Sequence, residues 1–224
     1  MITERNNNRE DDLSENDTII LSSFYLPPIE YFARIINAPS FKVELYENYL
    51  KQTYRNRCHI YTANGKLPLS IPVHKTYGNH TLIKDIEISY MENWQANHWG
   101  AIESAYNKSP FFLYYRDDLK KFYITTWEYL WEFNTALNEF LLKKLKIKQA
   151  LSFTEDYITT LNDTIDPRYC ITPKEDSKGI IFPKYYQVFE SKFGFIPNLS
   201  IIDLLFNEGP ESTNYLKNIS FIKQ

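Results

Sequence analysis

Several familiar chemical signatures are missing from this chain of 224 residues. Its six glycines do not fall in the spacing of a dinucleotide-binding G-x-G-x-x-G loop or of a P-loop. It also has no G-x-S-x-G nucleophile elbow, no H-E-x-x-H pair and no C-x-x-C pair. The sequence therefore excludes the common forms of nucleotide, zinc and serine-hydrolase sites.

Cysteine, positive charge and long apolar runs are also scarce. The two cysteines, Cys58 and Cys170, form neither a disulfide framework nor a zinc knuckle. A net charge of −3 without a polybasic run argues against a nucleic acid polymer as partner. No apolar run approaches the roughly 20 residues that span a bilayer, and the first residues are polar, unlike a signal peptide. We therefore expect a cytoplasmic protein without a transmembrane segment.

Aromatic residues, by contrast, are abundant at 17% of the chain. They predict an aromatic-rich core, and the polar tip of tyrosine also suits the wall of a pocket. Residues 1–17 are almost devoid of apolar side chains, so we interpret them as a disordered polar tail. The length fits one large domain, and we predict a single α/β domain over 18–224.

The first half of this domain has strand patterns separated by one helix. A β-rich run at 19–24 precedes a helix that Pro28 would begin, and alternation at 41–45 predicts a second strand. Strand, helix and strand form a short right-handed βαβ unit with parallel strands. Alternation at 83–88 predicts another strand.

A β-hairpin is predicted around Asn64-Gly65, a strong two-residue turn signal. Counting outward pairs Thr62 with Leu67 and Ile60 with Leu69. Prolines in the second strand predict an edge strand or a bulge. The βαβ unit and the hairpin would form one mixed sheet. A helix-rich C-terminal half would pack on it, with helices near 94–105, 126–145, 185–193 and 199–206.

His98 is the first candidate catalytic residue. It shares a helix face with Trp94 and Ile102, so its imidazole should point into the protein. Histidine acts as acid or base near neutral pH, but a core histidine bonded to a backbone carbonyl is the alternative. Glu103 lies about a third of a turn off that face and could line the same cavity.

The segment Tyr54-Arg55-Asn56-Arg57 is the second candidate. Two guanidiniums flanking an amide suit a phosphate or carboxylate, and Arg55 and Arg57 would share a face in an extended segment. The alternative is a solvated strand edge, whose charges prevent sheet pairing.

Asn207 and Glu208 form the third candidate, although a helix-ending turn at Gly209 already explains the asparagine. His59 and His74 could join His98 at a metal, but their spacing matches no ligand pattern, so we predict no metal site and no cofactor.

Six segments of the chain together resemble the WbqC-like family of bacterial proteins: Phe24–Phe32, Gln52–Arg57, Leu69–Val73, Trp94–Trp99, Glu103–Phe112 and Pro197–Pro210. The resemblance covers about residues 18–218 in order. The family's histidine falls on His98, and its Asn-Arg pair falls on Asn56 and Arg57.

The resemblance implies a cytoplasmic protein of O-antigen and lipopolysaccharide biosynthesis, acting as a transferase of an amino acid or acyl group, such as glycine, onto an amino sugar. His98 would be the general base, Arg55 and Arg57 would hold phosphate, and Trp99 and Tyr106 would pack on the sugar beside Tyr54. The partner would be a small-molecule substrate, a nucleotide sugar or an acyl or aminoacyl donor, with a homo-oligomer left open. The alternative is a non-catalytic metabolite-binding or scaffold protein in a biosynthetic complex.

Overall fold

The computed structural model describes residues 18–159 and 166–222; the tail predicted over 1–17 lies outside them. Helices and short strands are mixed in this part of the chain, as predicted for an α/β fold. The strands are β1 (Thr18–Ser22), β2 (Ser40–Glu44), β3 (Arg57–Thr62), β4 (Gly65–Ser70), β5 (Val73–Lys75), β6 (Ile86–Ile88), β7 (Ile180–Ile181) and β8 (Ser220–Phe221). The helices are α1 (Ile29–Ile36), α2 (Trp94–Tyr106), α3 (Phe112–Lys120), α4 (Leu130–Lys144), α5 (Pro167–Cys170), α6 (Glu190–Phe193), α7 (Ile201–Glu208) and α8 (Ser212–Lys217).

The predicted βαβ unit is confirmed. β1 pairs with β2 in parallel, and α1 connects them. Pro28 precedes α1 in an extended conformation, and the helix buries one apolar side that includes Tyr31, Phe32 and Ile35. An 8-residue helix of this kind is stabilised by that burial more than by its own propensity.

The predicted single mixed sheet is wrong. The described strands form four separate two-stranded sheets, which pair β1 with β2, β3 with β4, β5 with β6, and β7 with β8. Helices and extended segments pack between these small sheets, and one aromatic-rich core connects them. Because β4 has no second neighbour in its sheet, it is an edge strand and tolerates its proline.

The hairpin register also differs from the prediction. Thr62 pairs with Gly65 and Ile60 with Leu67, two residues away from the expected partners. The Thr62 hydroxyl accepts a hydrogen bond from the backbone N–H of Asn64 (3.2 Å). The two turn residues are therefore 63 and 64, one residue earlier than the predicted Asn64-Gly65. A slip of two residues keeps every side chain on its predicted face, since strands have a period of two.

Two predicted helices start later than expected because backbone or side-chain partners hold the chain extended, and one predicted strand starts later because its first residues form a turn. Residues 128–129 pair with β6, so the long helix begins at Leu130 rather than 126. The Gln187 side chain bonds both backbone groups of Ile196, and the helix predicted from 185 is reduced to α6. Residues 83–85 form a 3-10 turn instead of a strand.

The last core helix, α7, runs from Ile201 to Glu208 rather than from 199 to 206. Ser200 precedes it, not Asn198. Gly209 ends it with a φ of 54°, which confirms the predicted glycine cap. The backbone of residues 199–201 bonds to Ile29, His59 and Pro27, so this segment joins α7 to α1 and β3.

Candidate functional site

Two adjoining cavities flank the segment that connects α5 to β7. The larger has a volume of about 460 Å³ and the smaller about 140 Å³. Three residues of the connecting segment and the first residue of β7 line both cavities: Glu175, Asp176, Ser177 and Ile180. The two cavities therefore share a wall that carries two carboxylates and one hydroxyl.

Ser177 is the best-connected polar residue of this wall. Its hydroxyl lies 2.6 Å from Glu30 Oε2, to which it donates, and accepts a hydrogen bond from Asn198 Nδ2 at 2.6 Å. The Asn198 amide oxygen accepts from the Glu30 backbone N–H at 2.8 Å. The connecting segment is thus bonded to the first turn of α1 and to the approach to α7.

Glu30 is 2% exposed, and its carboxylate is fully hydrogen-bonded. Arg34, one turn further along α1, donates to Oε1 from Nε (3.0 Å) and from Nη2 (2.7 Å). Ser177 and Asn198 donate to Oε2. Because a buried carboxylate without such partners would be costly, these four hydrogen bonds explain how Glu30 can lie beneath the larger cavity. Cys170 Sγ also lies near Arg34, 3.8 Å from Nη2.

His59, on β3, lines the smaller cavity beside Tyr54. The two rings meet edge to face, with centroids 5.7 Å apart. Burial lowers the pKa of His59 to about 4, and the positive charges of Lys66 and Arg57 act in the same direction. The imidazole is therefore neutral at physiological pH. Among residues 18–159 and 166–222, none hydrogen-bonds its ring nitrogens, which leaves them to a ligand.

Tyr54 faces the same cavity with its phenol protonated. Burial raises its pKa above the usual range, and the carboxylates of Glu30 and Asp176 raise it further. A protonated phenol can donate a hydrogen bond, and its ring offers a flat apolar face. Of the residues predicted to bind substrate, Tyr54 is the one that lies at these cavities.

His98 is buried on α2, as predicted from its helix face. Its Nδ1 lies 3.0 Å from the Tyr25 hydroxyl, and its ring packs edge to face on Trp94. Burial lowers the pKa of His98 to about 4, opposed by a hydrogen bond to the Ser70 backbone. The imidazole thus has partners inside the protein, as in the alternative considered for a core histidine.

Arg55 has internal partners as well. Its guanidinium donates to both oxygens of Glu47, at 3.0 and 2.6 Å, and to Ser22 Oγ at 2.9 Å. Arg57 is partly exposed and donates to Ser70 Oγ at 2.9 Å. The two guanidiniums therefore lie in different environments, and a phosphate held by both would need Arg55 to leave Glu47.

The other predicted site residues are spread over the fold. Asn56 donates to the Ile71 carbonyl, and Tyr106 is buried, accepting from the Tyr61 amide at 3.2 Å. Trp99 is buried, with its ring 5.9 Å from that of Tyr123.

Glu103, Asn207 and Glu208 also lie apart from the cavities. Glu103 forms a partly exposed ion pair with Arg116 at 2.7 Å. Asn207 bonds the Asp203 carbonyl within α7, and Glu208 is the last residue of that helix. The three predicted groups, around His98, Arg55 and Asn207, therefore have separate structural surroundings.

Comparison with known proteins identifies the family of this chain. The sequence model of the WbqC-like protein family matches residues 23–178 and 174–215, which is most of the chain. This protein belongs to the WbqC-like family. It is 26% identical over 223 residues to Rv1507c, an uncharacterized protein of Mycobacterium tuberculosis (strain ATCC 25618 / H37Rv), across 88% of this chain and 96% of the relative. No solved structure matches it with statistical significance.

Three segments that carry the WbqC-like resemblance meet at the cavity pair. They supply Glu30 from α1, Tyr54 before β3 and Asn198 before α7. Sequence reasoning missed Glu30 and Asn198 as site residues, although both lie in those segments. It considered His59 only as a metal ligand, and Ser177 had no motif to reveal it.

None of the helices in the described part of this WbqC-like chain is both long enough and apolar enough to cross a membrane.

Proposed function

We propose that this WbqC-like protein is a transferase of surface-glycan biosynthesis that moves an acyl or aminoacyl group onto the amine of an amino sugar, in the cavities beside Ser177. The glycan context rests on the family resemblance. The observation that carries the chemistry is the neutral imidazole of His59 in a cavity wall that also bears carboxylates and an aromatic ring.

Each part of this wall suits one part of an amino sugar. Glu175 and Asp176 can accept hydrogen bonds from sugar hydroxyls or from the ammonium group of the free substrate. The flat face of Tyr54 suits the C–H surface of a sugar ring. The unprotonated His59 can take the proton that an attacking amine must lose.

The assignment places the general base at His59 rather than at His98. Both rings are neutral near pH 7, because burial lowers both pKa values to about 4. His98 already contacts Tyr25 and the Ser70 backbone, whereas His59 lines a cavity that could receive substrate. A base has to reach the proton that it removes, and this difference in position supports His59 over His98.

A thermal-shift screen would identify the ligand class. We would test nucleotide-amino sugars, acyl and aminoacyl carriers and simple phosphates, because a ligand that binds only the folded state raises the unfolding midpoint. We expect a rise with amino sugars that is lost in Asn198→Ala. The absence of a shift from every class would instead support the non-catalytic scaffold alternative.

A transfer assay on the amino sugar identified in that screen would then test His59. His59→Gln should lower the rate by roughly 100-fold or more, the usual contribution of a general base. The matched control is His74→Gln, at an exposed position on β5. Full activity in His59→Gln would show that this imidazole is not the base.

A further inference from the structure

We propose that Ser177 is a covalent nucleophile, which receives the acyl group from the donor in the larger cavity and passes it to the amine in the smaller one. This inference rests on the proposed function and adds its reaction path. It also limits the donor to activated acyl esters or thioesters. The observation behind it is the Ser177–Glu30–Arg34 arrangement, three side chains joined in series by hydrogen bonds.

A serine hydroxyl is a weak nucleophile unless a base accepts its proton. An activated serine is recognised by a base within about 2.6–3.2 Å and by a third group that orients the base. Ser177 Oγ meets Glu30 Oε2 at 2.6 Å, and Arg34 fixes Glu30 through two hydrogen bonds to Oε1. Arg34 therefore occupies Oε1 and leaves Oε2 to accept from the serine and from Asn198.

The position of Ser177 explains why one nucleophile could serve two substrates. Its side chain is partly exposed and lies in the wall common to both cavities. Glu30 lines the larger cavity and His59 lines the smaller one. Each half of a two-step transfer would thus have its own base on its own side of the serine.

In the first step, the Ser177 oxygen attacks the acyl carbon of the donor and its proton passes to Glu30. The bond between the acyl carbon and the carrier's oxygen or sulfur breaks, and the carrier leaves with the proton from Glu30. The product is an acyl ester on Ser177. Asn198 Nδ2 donates to both the serine oxygen and Glu30 Oε2, so it holds the nucleophile and its base together for this step.

In the second step, the amine of the acceptor attacks the ester carbonyl from the smaller cavity. His59 takes the proton of the amine and returns it to the Ser177 oxygen as the ester bond breaks. The amide product forms, and the serine, Glu30 and His59 regain their starting states. No oxidant, reductant or metal enters this balance.

The test uses p-nitrophenyl acetate as an activated acyl donor with the full chain. After a brief reaction, peptide mass spectrometry locates acetyl groups, and hydroxylamine distinguishes esters, which it cleaves, from lysine amides, which it does not. We expect a hydroxylamine-sensitive acetyl ester on Ser177, absent in Ser177→Ala and much reduced in Glu30→Gln. Ser191→Ala, at an exposed serine on α6, is the matched control and should retain the ester.

Thermal midpoints of the variants would show that each one is folded, and Ser177→Thr supplies a second variant that retains a hydroxyl. No acetyl ester on Ser177 in the unmodified chain overturns the proposal. An unchanged transfer rate in Ser177→Ala also overturns it. If Ser177 proves not to be acylated but amino sugars still bind and His59→Gln still slows transfer, the reaction is a direct attack on the donor and the proposed function stands.

Discussion

Arg55 Nη2 lies 2.6 Å from Glu47 Oε2, and both side chains are almost completely buried. A second hydrogen bond, from Nε to Oε1, makes the pair bidentate. Glu47 and Arg55 flank the chain that leads into β3, so the ion pair fixes how Tyr54 enters the cavity wall. This buried ion pair therefore links the stability of the core to the position of Tyr54 in the candidate site.

Replacing Arg55 should therefore destabilise the protein. Arg55→Met leaves Glu47 charged and buried, and we expect a loss of about 3–5 kcal/mol in the free energy of unfolding. Urea denaturation would measure it, and the double variant Arg55→Met/Glu47→Met should recover part of the loss. Lys121→Met, which breaks an exposed pair with Asp118, should change stability by about 1 kcal/mol at most. A normally stable Arg55→Met chain that no longer binds phosphate ligands would return Arg55 to the substrate site.

His98 should make stability sensitive to acid. Its pKa is about 4 in the folded chain and near its usual 6.5 when unfolded, so the unfolded chain binds the extra proton between these values. The neutral imidazole contributes on the order of 3 kcal/mol to the free energy of unfolding. This contribution is complete above pH 6.5 and is lost as pH falls toward 4. Urea denaturation across this range should show a flatter pH dependence in His98→Gln. His74→Gln is the matched control for removing an imidazole; equal slopes in the wild type and His98→Gln would contradict the prediction.

Asp203 should make stability depend on pH in the opposite direction to His98. Burial raises its pKa to about 6, although Tyr185, Tyr106 and Gln187 donate hydrogen bonds to it. The folded chain therefore holds a proton that the unfolded chain releases near pH 4. The resulting stability is present below pH 4 and is lost as pH rises through 6, by about 3 kcal/mol.

Asp203→Asn remains neutral at every pH and removes this dependence. The stability of the wild type relative to Asp203→Asn should fall as pH rises from 4 to 7, as measured by urea denaturation. A difference that stays constant across this range would show that the carboxylate is ionised throughout.

Two glycines should respond oppositely to alanine. At Gly209, φ is 54° and an added Cβ would lie 2.5 Å from the Phe111 ring, so Gly209→Ala should cost more than about 1 kcal/mol. Gly100 lies within α2, where an added Cβ would meet nothing within 4 Å, so Gly100→Ala should stabilise the helix by up to about 1 kcal/mol. Thermal unfolding would compare the two. Equal changes in the unfolding midpoint for the two variants would mean that the end of α7 can accommodate the added Cβ without strain.

Local patterns predicted what local forces determine. Pro28 and the alternation that follows α1 specify the βαβ unit, and Gly209 ends α7 because its backbone conformation favours glycine. The hairpin faces were correct because side chains alternate, while the register failed because the Thr62 hydroxyl moved the turn. The mixed sheet failed because strand patterns do not say which strands are neighbours.

The candidate site depends on pairings that no local pattern contains. Arg55 looks available for an anion until Glu47 is found beside it, and His98 looks available as a base until Tyr25 is found beside it. Ser177 looks like an ordinary loop residue, since Glu30 lies 147 positions away in sequence. Such contacts appear only when the chain is folded.

The hydrogen bonds between Asn198 and α1 also determine when the site can form during synthesis of the chain. Asn198 donates to Glu30 and Ser177, and the neighbouring backbone bonds to Pro27 and Ile29. A ribosome synthesises Glu30 of α1 168 residues before Asn198, and contacts so distant in sequence form slowly. A nascent chain would therefore have α1 long before it has a cavity wall. Truncated translation products would lack the site altogether.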